Sequence, residues 1–146
     1  MSVYFRYYLN TKTMDILYDQ AVKTMNAAIT KAREIGIPVS IAVVDSGGHL
    51  VSFARLDSVY GVIDFAVKKA RTAVMFGTDS DIMGSIIAGS ELHGYGMINS
   101  NNGLLTIAGG TVIKNKEGNI IGAIGVSGGT PGQDKEIAYL GAKVPL

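Results

Sequence analysis

Cysteine is absent from the 146 residues, which excludes disulfides, thiolate zinc sites, iron–sulfur clusters and cysteine nucleophiles together. Charge is scarce too: 17% of residues are Asp, Glu, Lys or Arg, and the formal net charge is +1. No run of Lys or Arg occurs, so the cationic footprint of a nucleic-acid binder is missing and no such partner is expected. No apolar stretch approaches the roughly 20 residues of a membrane span, and no membrane partner is expected either. The opening MSVYFRYYLN lacks the apolar core and small-residue cleavage site of a secretory leader, and a cytoplasmic location is expected. There are two histidines, His49 and His93. Neither has a second ligand at metal spacing: Glu91 and His93 are two apart, which is no zinc signature, and no metal site is expected. Ser-x-x-Lys does not occur, and no serine has a nearby base. Nothing in the residues compels an enzyme.

What is present is apolar and flexible: 47% hydrophobic residues and 19 glycines. The length suits one domain, residues 1–146, with a substantial core. With so little charge, much of the surface must be uncharged, and contacts between copies are the natural outlet; a homo-oligomer is expected. Tyr4, Phe5, Tyr7 and Tyr8 crowd the first ten residues. Residues 1–12 are read as an aromatic arm buried against a neighbour or as a strand pinned on their own domain, with residues 3–8 at an interface or a sheet edge.

Periodicity gives the elements in order. Met14, Leu17, Tyr18, Ala21, Val22, Met25, Ala28, Ile29 and Ala32 recur at helical spacing, with Thr13 as candidate N-cap and Gly36-Ile37-Pro38 as the stop. Val39–Asp45 and His49–Arg55 read as a hairpin around Asp45-Ser46-Gly47-Gly48, where the Asp can bond the backbone ahead of it. A second helix, Val59 to Phe76, carries Ala66, Ala70 and Ala73 as a small-residue stripe for close approach to another backbone. A short third helix follows, capped within Thr78-Asp79-Ser80-Asp81 and ended by Gly89. Residues 88–103 show no period and are expected to form a long irregular loop, binding or mobile. Leu104–Lys114 is expected to be a strand interrupted at Gly109-Gly110 by a bulge or a bend. The last unit is the clearest: strand Gly118–Ser127, the turn Ser127-Gly128-Gly129, then Thr130-Pro131-Gly132-Gln133 as a capped helix start. The order α-ββ-α-α-ββ-α predicts an α+β fold with helices packed on an antiparallel sheet.

Three motifs then carry a resemblance. Val43-Val44-Asp45-Ser46-Gly47-Gly48-His49-Leu50 is the first. Ala66-Val67-Lys68-Lys69-Ala70-Arg71-Thr72-Ala73-Val74-Met75-Phe76 is the second, and Gly122–Gly129 followed by Gln133-Asp134 is the third. Together they resemble the GlcG/HbpS family, which also includes the C-terminal domain of PduO-type corrinoid adenosyltransferases. The resemblance runs from about residue 13 to residue 142. It implies a profilin-like sandwich with a five-stranded antiparallel sheet, in homo-oligomers up to octamers. It also implies a loosely defined function. Members bind or degrade haem, one is a redox-sensing accessory, and others sit among genes for glycolate, glycerol or propanediol use. The chain departs from the family at Ala108–Ile113, which lacks flanking prolines, and in its first helix, which lacks a histidine.

Three functional classes remain open. One is an oligomeric accessory protein that binds a small carboxylate or a tetrapyrrole such as haem between the sheet and the glycine-rich turns. Another is a small enzyme acting on a hydroxy acid, an aldehyde or haem through Asp45, Lys69 and Asp134. The third is a purely structural assembly subunit. Convergence of those three side chains would favour the enzyme, and dispersal the binder. The candidate ligand-binding residues are Asp45, Gly47, Gly48, Arg55, Lys69, Gly109, Gly110, Ser127, Gly128, Gly129, Gln133 and Asp134. Arg55, Lys69 and Arg71 are the cations grouped with the Gly-Gly turns as partners for a carboxylate. His93, with Tyr95 and Met97 on its segment, is the candidate haem-iron ligand. The polar candidates have ordinary structural roles as well. Asp45 forms a turn, Asp134 meets a helix dipole, and Lys69 can lay its stem on the core.

Overall fold

A computed structural model describes residues 15–146. Helix α1 (Tyr18–Ile35) is followed by strands β1 (Ser40–Asp45) and β2 (Leu50–Arg55), then α2 (Gly61–Phe76) and α3 (Ser80–Ala88). A 3-10 helix (Leu92–Asn99) leads to β3 (Gly110–Lys114), β4 (Ile120–Ser127) and α4 (Pro131–Ala142). The fold is α+β, and its sheet is antiparallel throughout in the order β2-β1-β4-β3.

The two central strands, β1 and β4, are buried on both faces, because helices cover both. On one face α1 and α4 enclose Ile41, Val43, Ile124 and Val126 with Met25 and Ile137. On the other, Ala70 and Ala73 of α2 meet Val44 and Ala123. The alanine stripe does what its spacing implied: a Cβ on Gly125 would fall inside contact distance of the Ala66 carbonyl and 2.7 Å from the Ala70 nitrogen. Helix and strand backbones therefore touch, and only glycine fits there.

Four strands are present among the described residues where five were expected. The arm or strand expected at residues 1–12 and the Thr13 cap lie outside the described residues, and α1 begins at Tyr18. Its Leu17 N–H is bonded by the Gln20 side chain at 2.9 Å. The strand expected from Leu104 starts only at Gly110, because its first half gives its hydrogen bonds elsewhere. Leu104 N–H goes to Ile98 O and Leu105 N–H to the Thr72 hydroxyl, while Thr106 lies against Gly84. The interruption expected at Gly109-Gly110 takes the form of a bend at Ile107-Ala108 just before the strand, and the β3–β4 register shifts at Ile113/Lys114. The irregular loop contains an eight-residue 3-10 helix.

As the sheet's outer strand, β3 turns backbone groups away from β4, and the start of α3 meets them. The Ser80 hydroxyl accepts Gly110 N–H at 2.9 Å and donates to Ile107 O at 2.6 Å, while Asp79 Oδ1 accepts Val112 N–H at 3.1 Å.

Candidate functional site

The expected site residues divide between the two ends of the sheet. At one end the β1–β2 turn holds Asp45, Gly47, Gly48 and His49. Asp45 Oδ1 accepts Gly47 N–H and His49 N–H, each at 2.9 Å, and contacts His49 Nδ1 at 3.1 Å. Asp45 is thus the turn former its position suggested. Asp15 adds a bond to Ser46 N–H at 3.0 Å and one to the Ser46 hydroxyl. The Arg71 side chain lies beneath Gly48.

At the opposite end stand the remaining eight residues with Lys69. Arg55, Ser40 and Ser127 lie side by side across β2, β1 and β4, and Arg55 donates twice to Ser58 O at 2.8 and 2.9 Å. Lys69 reaches past the edge of β4 to Asp134 in α4. Its Nζ is 2.9 Å from Asp134 Oδ2 and 3.0 Å from Val126 O, and both side chains are 3% exposed. The other carboxylate oxygen of Asp134 accepts Gly129 N–H at 2.9 Å. Gly109, at φ 124°, makes room for this pair: a Cβ there would lie 3.0 Å from Lys69 Nζ and 2.5 Å from Val126 O. A Cβ on Gly110 would strike the Lys69 carbonyl. Gln133 closes a capping box with Thr130, and Gly128 is the glycine of the turn with positive φ, 137°. Gly129 is constrained by crowding instead, with Ile37 Cδ1 2.5 Å from a Cβ built on it.

Lys69 and Asp134 therefore meet, and Asp45 is at the far end of the sheet. The three-residue convergence that the enzyme reading relied on is not formed. The pair is buried, with Val126 O and Gly129 N–H as its backbone partners, which makes it a tie between α2 and α4.

His93 projects from the 3-10 helix with its side chain 84% exposed and Nε2 2.7 Å from Glu91 Oε2. Around it Leu92, Tyr95 and Met97 are exposed, as is Ile86 on the adjoining α3. Lys68 is the cation at this loop: its Nζ lies 3.7 Å from a Cβ built on Gly103, and it pairs with Asp64 at 3.3 Å.

A groove of about 730 Å³ runs along the outer edge of β3, between α3 and the end of α4. None of the expected site residues lines it. Its central group is Asp79, half-buried, whose carboxyl is pushed above the ordinary range by burial. In the sequence Asp79 signals only a helix cap; that it would also face a groove depends on β3 lying at the sheet edge. Nearby, Lys135 pairs with Asp81, and that bond raises the Lys135 ammonium. No cluster of three or more metal-ligating side chains occurs among the described residues, and no described helix is long and apolar enough to cross a membrane.

The family profile described as "Haem degrading protein HbpS-like" matches residues 16–143. A relative from Citrobacter freundii, an uncharacterized 15.0 kDa protein in the dhaT-dhaS intergenic region, is 37% identical over 121 residues, 81% of this chain and 83% of its own. Among solved structures, the Klebsiella pneumoniae protein ORFY superposes with a TM-score of 0.80 at 28% identity, covering 91% of this chain and 92% of that one. A structure described as a PduOC:heme complex gives 0.78 at 27% identity, with coverage of 88% and 93%.

Proposed function

This chain belongs to the HbpS-like family, and from that premise we propose that it is a self-associating accessory protein that binds haem or a related tetrapyrrole. The observation that carries the reading is the uncovered surface of the 3-10 helix. Leu92, Tyr95 and Met97 are 85%, 49% and 40% exposed there, with His93 among them. A flat apolar ligand laid on this surface buries side chains that water now meets, and each such side chain contributes about 1.5–3 kcal/mol when fully covered. The haem complex of the similar PduOC structure supports haem as the guest.

Iron ligation is the weaker contribution. To bind iron, His93 must give up its contact with Glu91 and order an exposed side chain. Of the cations expected to hold propionates, Lys69 is buried in its ion pair and Arg55 is engaged with Ser58 O. Lys68, in an exposed and readily exchanged pair with Asp64, is the available anchor at this loop. This apolar surface, and the separately exposed Val59 and Tyr60 at 72% and 82% exposure, favour association between copies, up to the octamer that the resemblance implies. A role beside glycolate, glycerol or propanediol use is part of this reading; the relative from the dhaT-dhaS region supports it.

The test is a haemin titration of the wild type, His93→Ala and Lys68→Ala followed at the Soret band, with the mass measured by light scattering at micromolar concentration. Saturable binding by an oligomer, weakened more by Lys68→Ala than by His93→Ala, is expected. Binding abolished in His93→Ala alone refutes propionate anchoring. A monomer that binds no haemin refutes the whole reading.

A further inference from the structure

We propose that the groove along the outer edge of β3 binds a small organic carboxylate that also carries a hydroxyl group on an apolar skeleton. Its volume, about 730 Å³, falls within the roughly 300–1,000 Å³ of small-molecule sites. Three kinds of group converge in it, drawn from α3, β3 and the end of α4.

The first is an acceptor with capacity to spare. Asp79 is held at the start of α3, and its Oδ1 accepts Val112 N–H at 3.1 Å. Among the described residues no donor bonds Oδ2. A carboxylate fixed on one oxygen and open on the other suits a ligand donor. Burial raises its pKa, which makes it a stronger acceptor for a hydroxyl. The second kind is cationic. Lys143 stands on the α4 wall with Nζ 5.2 Å from the Tyr139 ring centroid, close enough for its charge to act on Asp79, and Lys114 stands exposed on β3. These ammonium groups suit an anion. The third is apolar: Tyr139 and Ile82, 51% and 47% exposed, offer a floor for hydrocarbon. A neutral hydroxyl fits Asp79 better than a ligand ammonium, which the lysines of the same groove would repel.

The groove shares none of the residues named for the tetrapyrrole surface, so the two readings fail separately. The experiment follows amide resonances of labelled protein during titration with para-hydroxybenzoate, benzoate and phenol. Para-hydroxybenzoate is expected to shift Val112, Lys114 and Lys143 saturably. Benzoate, lacking the hydroxyl, and phenol, lacking the carboxylate, should each bind about tenfold more weakly. Asp79→Asn keeps an oxygen that accepts from Val112 N–H, and it should erase the advantage over benzoate. Lys143→Gln should erase the advantage over phenol. Haemin binding should be unchanged in Asp79→Asn. No saturable shift at these residues, equal affinity for para-hydroxybenzoate and benzoate, or indifference to both substitutions would overturn the proposal.

Discussion

Removing the charge of Asp134 tests whether the buried pair ties α2 to α4. In Asp134→Asn the amide oxygen still accepts Gly129 N–H, so the loop keeps its bond and only the ionic half is lost. Lys69, 2% exposed, is then a buried cation with Val126 O as its remaining partner. Breaking a buried pair on one side costs about 3–5 kcal/mol. With an m value of about 2 kcal/mol/M, the urea midpoint should fall by about 2 M. Lys69→Met leaves the carboxylate unpaired and should cost a similar amount. The double variant Lys69→Met/Asp134→Asn buries no charge and should be more stable than either single one. Glu136→Ala supplies the contrast. It breaks Lys31–Glu136, also 2.9 Å, but with side chains 22% and 54% exposed, and should cost less than about 1 kcal/mol. Urea unfolding by far-UV circular dichroism, at one protein concentration because association stabilises, measures all four. A single-charge variant within about 1 kcal/mol of wild type, or a double variant equal to the sum of its parts, would refute the reasoning.

Two other perturbations separate causes that look alike in sequence. Gly128→Ala forces an L-residue to φ 137° with its Cβ against Pro38 O, and thermal unfolding should show a loss of about 1–3 kcal/mol or more. Gly129→Val meets mainly the movable tip of Ile37 and should cost less; the reverse order would show that crowding outweighs backbone strain. Asp79 has a folded pKa raised by burial, so its contribution to stability is full below the unfolded value and lost as pH rises through the folded one. Asp79→Asn should therefore gain stability relative to wild type as pH rises above about 4, and a difference flat in pH would contradict that sign.

The order of elements was legible because each boundary has its own chemistry. Gly36 and Gly77 end helices at φ 78° and 65°, and Thr130 with Gln133 starts one. The alanine stripe of α2 announced a close backbone, though not which one; its partner, Gly125, lies far along the chain in β4. Leu104–Ala108 misled because β-branched and apolar residues suit any half-buried surface, and here the surface is made by α2 and α3. The candidate site was legible only in pieces. In sequence Lys69 reads as a stem laid on the core and Asp134 as an ordinary first-turn acid, and their pairing depends on the fold setting α2 and α4 on opposite faces at the same end of β4. Asp45 and Asp134 look equivalent in sequence, and the antiparallel pairing of β1 with β4 sends them to opposite ends.

The side-chain finish on β3 has a consequence for how copies of this molecule can meet. A strand arriving from another molecule would find Gly110 and Val112 already satisfied, and would have to displace Ser80 and Asp79 before forming a ladder. Open-ended growth by strand addition, the route from a sheet edge to a fibre, is blocked at those positions while the first turn of α3 holds. At the β3 edge, encounters between copies are thereby directed toward the helical surfaces beside it, where contacts can close into finite rings.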